Sequence, residues 1–146
     1  MNFAEKYTQS ELNNFIQMNP VVHFELPYKD AKRITKFYTD SFGWKITDLG
    51  HQSGNYILAQ TAVNDAKPGF PAGSIDGGFY PTKPDWPSQY PSIVIGVENI
   101  DQSINKITQN GGTVLGEPFS IPNFGIYVSF LDTEGNRNSI IQPQGM

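Results

Sequence analysis

The sequence predicts an α+β fold built from two tandem strand–helix–strand–strand–strand modules. Three observations carry this. Val22, Phe24 and Leu26 alternate with His23 and Glu25, as in a strand with two chemically distinct faces. Ile34, Phe37, Tyr38 and Phe42 then recur at helical spacing up to Gly43. Finally, the same pattern returns at a constant offset of 69 residues, without gaps, from the first strand through the second. The offset pairs Val22, Phe24 and Leu26 with Pro91, Ile93 and Ile95, and Tyr28 with Val97. It also pairs Asp30 with Asn99, Gly43 with Gly112, and Ile46 with Leu115.

Residues 1–20 read as an N-terminal helical extension. Leu12, Phe15 and Ile16 give it a short apolar stripe, Ser10 is its expected cap, and Asn19-Pro20 ends it. The first module covers residues 21–80. Asp30 is placed to cap its helix, expected over 30–42, and Gly43 to stop it in the left-handed conformation. Further strands are expected from Trp44, over Asn55–Thr61 and over Ser74–Tyr80. A proline-rich linker, 81–91, should carry little regular structure, because proline has no N–H for a strand ladder. The second module occupies 92–146. Asp101 or Asn99 caps its helix, expected over 100–110, and Gly111-Gly112 ends it. Strands are expected from Thr113, over Ile126–Leu131 and over Asn138–Gln142.

The bulk properties narrow the function classes. A net charge of -4 argues against a nucleic-acid surface, which needs clustered cations. Lys29, Lys32, Arg33 and Lys36 fall together on the first helix and read as a solvated face. The absence of cysteine removes disulfides, thiolate metal sites and thiol nucleophiles. No apolar run approaches the roughly 20 residues of a membrane span. The N-terminus has no basic region leading into an apolar stretch, so a cytoplasmic location is expected. Gly77-Gly78 and Gly111-Gly112 lack the spacing of a nucleotide loop, and no serine sits in a nucleophile elbow.

The stretch Val21-Val22-His23-Phe24-Glu25-Leu26-Pro27-Tyr28-Lys29-Asp30, followed by Phe37-Tyr38-Thr39-Asp40-Ser41-Phe42-Gly43-Trp44, resembles the first half of a known module. Val97-Glu98-Asn99-Ile100-Asp101, Gly111-Gly112 and Asp132-Thr133-Glu134-Gly135-Asn136 resemble its second half. The family is the glyoxalase/bleomycin-resistance/dioxygenase group, the vicinal oxygen chelate superfamily, and the likeness spans roughly residues 21–143. It implies paired βαβββ modules forming a cup-shaped mixed sheet, with the helices outside and a cavity within. It also implies a homodimer, since cups in the family are often completed by a second chain and exposed edge strands invite pairing.

The resemblance further implies four inward positions where metal enzymes of the group place His, Gln or Glu. Here the first is His23, the second falls near Gly77 or Gly78, the third is Ser92 and the fourth is Ser139. Only His23 is a good ligand, since a serine hydroxyl binds transition metals poorly and glycine has no side chain. The other histidine, His51, lies in an expected loop. No resident metal or other cofactor is therefore expected. His23 and Glu25 project from one face of a strand, either as an acid/base pair or as a structural pair in a polar cavity. Tyr56, Tyr80, Tyr90, Ser92, Tyr127 and Ser139 are the candidate ligand-binding residues, with Trp86 and Phe124 as further aromatics. The expectation is a protein binding a small organic molecule. The alternatives are a lyase, isomerase or dioxygenase-type enzyme using His23 and Glu25, and an interaction module with a vestigial cavity.

Overall fold

A computed structural model of the chain describes residues 6–11, 18–62 and 73–145. Leu12, Phe15 and Ile16, on which the N-terminal helix was expected, lie outside the described residues. Ahead of them, Thr8 rather than Ser10 supplies the cap. Its hydroxyl accepts from the Glu11 amide at 3.2 Å, and the Glu11 carboxylate accepts from the Thr8 amide at 2.7 Å. This reciprocal capping box satisfies two amides, whereas Ser10 would satisfy one.

The first module runs β1 (Val21–Tyr28), α1 (Ala31–Phe42), β2 (Lys45–Asp48), a 3-10 turn (His51–Ser53), β3 (Ile57–Gln60) and β4 (Gly77–Pro81). The second runs β5 (Ser92–Gly96), α2 (Ile100–Gln109), β6 (Thr113–Ile121), β7 (Gly125–Leu131) and β8 (Arg137–Pro143). Both helices start where capping chemistry placed them. Asp30 accepts from the Arg33 amide and Asn99, rather than Asp101, from the Gln102 amide, at 2.9 and 3.0 Å. Gly43 closes α1 in the left-handed region at φ 70°. Strand β4 begins at Gly77, three residues later than expected, and takes in Pro81, so the linker starts at residue 82. Pro81 is the last residue of its strand, where a missing N–H costs least.

All eight strands form one mixed sheet in the order β2-β3-β4-β1-β5-β8-β7-β6. Strand β1 runs parallel to β4, and β5 runs parallel to β8. The two modules meet along the antiparallel β1–β5 seam, where His23 faces Val94 and Glu25 faces Ser92. Exchanging the halves by the offset of 69 turns one of these pairs into the other, which is the signature of a pseudo-two-fold axis through the seam.

Both helices lie on one side of the sheet. There, Tyr28, Ile57, Ala59 and Phe79 form the first core, closed by Ile34, Tyr38 and Trp44. Val97, Ile100, Val128, Phe130 and Ile140 form the second, closed by Ile104 and Ile107. Strand alternation sends His23, Glu25, Ser92 and Ser139 to the opposite face. Lys29, Lys32, Arg33 and Lys36 are exposed, and Lys36 pairs with Asp40 one turn on. Among the described residues, no helix is long and apolar enough to cross a membrane.

Candidate functional site

The helix-free face carries a chain of polar side chains drawn from three strands, β1, β7 and β8, and the turn before β3. His23 Nε2 and the Tyr56 hydroxyl are hydrogen-bonded at 3.0 Å. Two residues along β1, the Glu25 carboxylate accepts a 2.5 Å bond from the Tyr127 hydroxyl of β7. The Tyr127 oxygen also lies 2.6 Å from Ser139 Oγ of β8, and Ser139 Oγ lies 2.9 Å from Ser129 Oγ. Arg137, at the start of β8, donates from Nη2 to Ser129 Oγ at 3.4 Å.

Donor arithmetic gives this chain a direction. A phenol has one hydrogen, and Tyr127 gives its own to Glu25. Ser139 must therefore donate to Tyr127, and Ser129 to Ser139. The relay runs from the Arg137 cation through three hydroxyls to the Glu25 anion, each bond polarising the next. Glu25 is 8% exposed and Ser139 3% exposed, so most of the relay is shielded from water.

Burial and charge perturb the titrating groups. Burial, followed by the Glu25 charge, pushes the Tyr56 and Tyr127 phenols far above their ordinary value. Burial likewise holds the His23 imidazole below its usual range, against the opposing pull of Glu25 and Asp76. At neutral pH the face therefore presents neutral phenols and a neutral imidazole.

The glycines of β4 explain how the tyrosine enters. Gly78 pairs with Glu25 on β1 and Leu58 on β3. A Cβ at Gly78 would stand 2.0 Å from the Tyr56 hydroxyl oxygen. Its neighbour Gly77 makes similar room on the helix side, where a Cβ would stand 2.3 Å from the Phe24 ring. Of the two glycines proposed for the second family position, Gly78 shares the face of Glu25. That place is filled by the Tyr56 phenol rather than by a ligating side chain.

Of the residues expected to bind ligand, Tyr56, Tyr127 and Ser139 join the relay or its His23 arm, and Ser92 sits across the seam from Glu25. Tyr80 lies on the same face, where the Glu25 and Arg137 charges both reach it. Tyr90 is elsewhere. It is 71% exposed and outside the relay, and with Phe24, Trp44, Ser92, Ile93 and Arg137 it lines an open depression of about 610 Å³. His51 sits in the exposed 3-10 turn. Sequence reasoning missed Arg137 and Ser129. Both follow from the alternation that placed Ser139, since Arg137 is two residues before it and Ser129 directly opposite.

The donor set can be tested against a metal. The four family positions offer one imidazole, two hydroxyls and a glycine, and no group of three His, Cys, Asp or Glu side chains converges among the described residues. Glu25 lies on the strand of His23 and is engaged by Tyr127. This set does not suit a first-row divalent ion.

The fold and face define a class: paired βαβββ modules with helices outside and a polar, tyrosine-rich inner sheet. The chain belongs to the glyoxalase/bleomycin resistance protein/dioxygenase superfamily, whose model matches residues 21–140. A glyoxylase-like domain-containing protein of Didymella fabae is 32% identical over 124 residues, covering 83% of this chain and 91% of the relative. The Mycobacterium bovis protein CFP32, whose glyoxylase name is itself provisional, is 26% identical over 114 residues, and there the match spans 41% of the relative. Among solved structures, a Streptomyces coelicolor methylmalonyl-CoA epimerase variant in complex with 2-nitronate-propionyl-CoA superposes with a TM-score of 0.63. It is 18% identical, with 89% of this chain and 98% of that one covered. The methylmalonyl-CoA epimerase of Mycobacterium tuberculosis gives a TM-score of 0.60 at 12% identity, over 84% and 87% of the two chains. At these identities the structural likeness establishes the fold alone.

Proposed function

We propose that the protein is a cytoplasmic homodimer that binds a small organic molecule on the inner face of its paired modules, without a tightly held metal. The observation that carries this reading is the relay itself. A buried carboxylate is held by one tyrosine hydroxyl, and the imidazole at the first family ligand position is held by another. Such a surface offers directional hydrogen bonds to a polar organic group. The Streptomyces coelicolor relative was solved with an acyl-CoA analogue, which is consistent with an organic ligand on this fold.

A thermal-shift screen of small metabolites and divalent metal salts tests it, because a ligand of the native state raises the melting temperature by mass action. An organic hit on the wild-type protein, weakened in Glu25→Gln, is the expected result. One equivalent of nickel, zinc, manganese or iron in untagged protein, lost in His23→Ala, would overturn the metal-free reading. Light scattering that gave a monomer mass would overturn the dimer.

A second reading is proton transfer of isomerase or lyase type at Glu25. Its support is a carboxylate 8% exposed, two residues from His23 on the same face, whose bond from Tyr127 fixes its position. Turnover of a screened ligand that Glu25→Gln abolishes while binding persists would favour catalysis over binding alone.

A further inference from the structure

The relay explains what holds Glu25 but leaves its other end unfinished. Arg137 Nη1 is buried and has no hydrogen-bond partner, the one such side-chain atom among the described residues. Its Nη2 makes only the long 3.4 Å bond to Ser129. The ion pair found among the described residues is Lys36–Asp40 on the surface, so no carboxylate neutralises Arg137 directly. A guanidinium cannot shed its proton to escape burial. Arg137 as a whole is part-buried, but its Nη1 is shut off from water without a partner, and an unpaired buried donor is a cost to folding. Retaining one makes sense where a bound group completes it.

The surroundings indicate what that group is. The Trp86 ring lies under the guanidinium, with 4.2 Å between the Arg137 Cζ and the ring centroid. Tyr80 stands 6.2 Å from Trp86, ring centre to ring centre. The Trp86 ring stacks against the guanidinium, so a planar, bidentate acceptor would meet the fork edge-on at the unpaired Nη1. Trp86 comes from the connector between β4 and β5 and is itself 45% exposed, so the stack with Arg137 lies near the surface rather than in the core.

We propose that Arg137, backed by Trp86 and flanked by Tyr80, is a carboxylate-binding subsite, and that the molecules held on the inner face are small organic acids. This rests on the reading above and narrows it. The carboxylate end is taken by Arg137, while the remainder of the acid extends past Tyr80 toward Glu25 and His23.

Isothermal titration of the full-length protein with benzoate, succinate and acetate, each paired with its uncharged amide, tests the subsite. At least one acid binds, its amide binds at least about tenfold more weakly, and Arg137→Gln loses the difference between them. Arg137→Lys keeps the charge without the fork and falls between the two, which also guards against a Gln variant that fails to fold. Circular dichroism checks both variants. The inference is overturned if no acid binds, if amides bind as well as acids, if sodium sulfate binds as well as the acids, or if Arg137→Gln leaves acid affinity unchanged. An uncharged metabolite that binds in a Glu25-dependent and Arg137-independent way sinks this inference alone and leaves the broader reading standing. Acid binding that Glu25→Gln and Tyr127→Phe do not alter would instead keep the subsite and remove the broader reading.

Discussion

The two modules share a frame but divide the chemistry unequally. On the first, β1 presents His23 and Glu25, β4 presents Gly78 and β3 presents Leu58. On the second, the equivalent places carry Ser92, Val94, Ser139 and Ser129. One pair survives the exchange: Tyr56 and Tyr127 each lie two residues before the strand residue facing Gly78 or Ser139. The first module thus supplies the carboxylate and the imidazole, the second the serine hydroxyls and the Arg137 cation, and a tyrosine from each closes on the seam. The two modules share the backbone and the two phenols and differ at these other inner positions.

Converting one half into the other is the sharpest way to break this asymmetry. Gly78→Ser gives the first module the residue of the second. The new Cβ would meet the Tyr56 hydroxyl and expel the ring, as overpacking does, at a cost of about 3 kcal/mol. Urea denaturation should report that loss, and NMR of the imidazole should show His23 released from Tyr56. An unchanged midpoint would mean that the glycine is not there to seat the phenol. The two tyrosines should also differ. Tyr127→Phe removes the 2.5 Å bond to the buried Glu25 carboxylate and should cost about 2 kcal/mol, whereas Tyr56→Phe removes a 3.0 Å bond to His23 and a weaker one to Glu25 and should cost about 1 kcal/mol. Equal losses would argue that Tyr127 and Tyr56 play one structural role.

The smallest effect is the pH dependence that arises from His23 of the first module. The folded-state pKa of His23 lies below its unfolded value, because burial disfavours the cation. The unfolded chain therefore takes up the proton first. Stability is fully present above a pH of about 6.5 and declines as pH falls toward the folded value. In His23→Gln that part of the pH profile should flatten, and an unchanged profile would remove His23 as its source.

Much of this frame was legible from local chemistry. Asp30, Asn99 and Gly43 mark helix ends through backbone bonds that depend on neighbouring residues alone. The alternation of β1 placed His23 and Glu25 on the inner face, because strand periodicity needs no knowledge of the partner strands. The relay was harder to see, since its bonds join residues as distant in sequence as Glu25 and Tyr127. The offset of 69 also fails beyond the second strand, because the modules have unequal connections there, and this hid the equivalence of Tyr56 with Tyr127 and of Gly78 with Ser139. Arg137 escaped notice because a lone arginine after a turn looks solvated. Only the fold brings Trp86, from a different connection, against it.

The seam has a consequence for how chains associate. Its hydrogen bonds join β1 to β5, and nothing in their register requires both strands to come from one polypeptide. What favours the closed form is the connector of residues 82–91, which holds β5 near β1 at an effective concentration of order millimolar. Shortening that connector would remove the advantage and turn the same seam into a site of domain exchange, with the first module of one molecule completed by the second module of another.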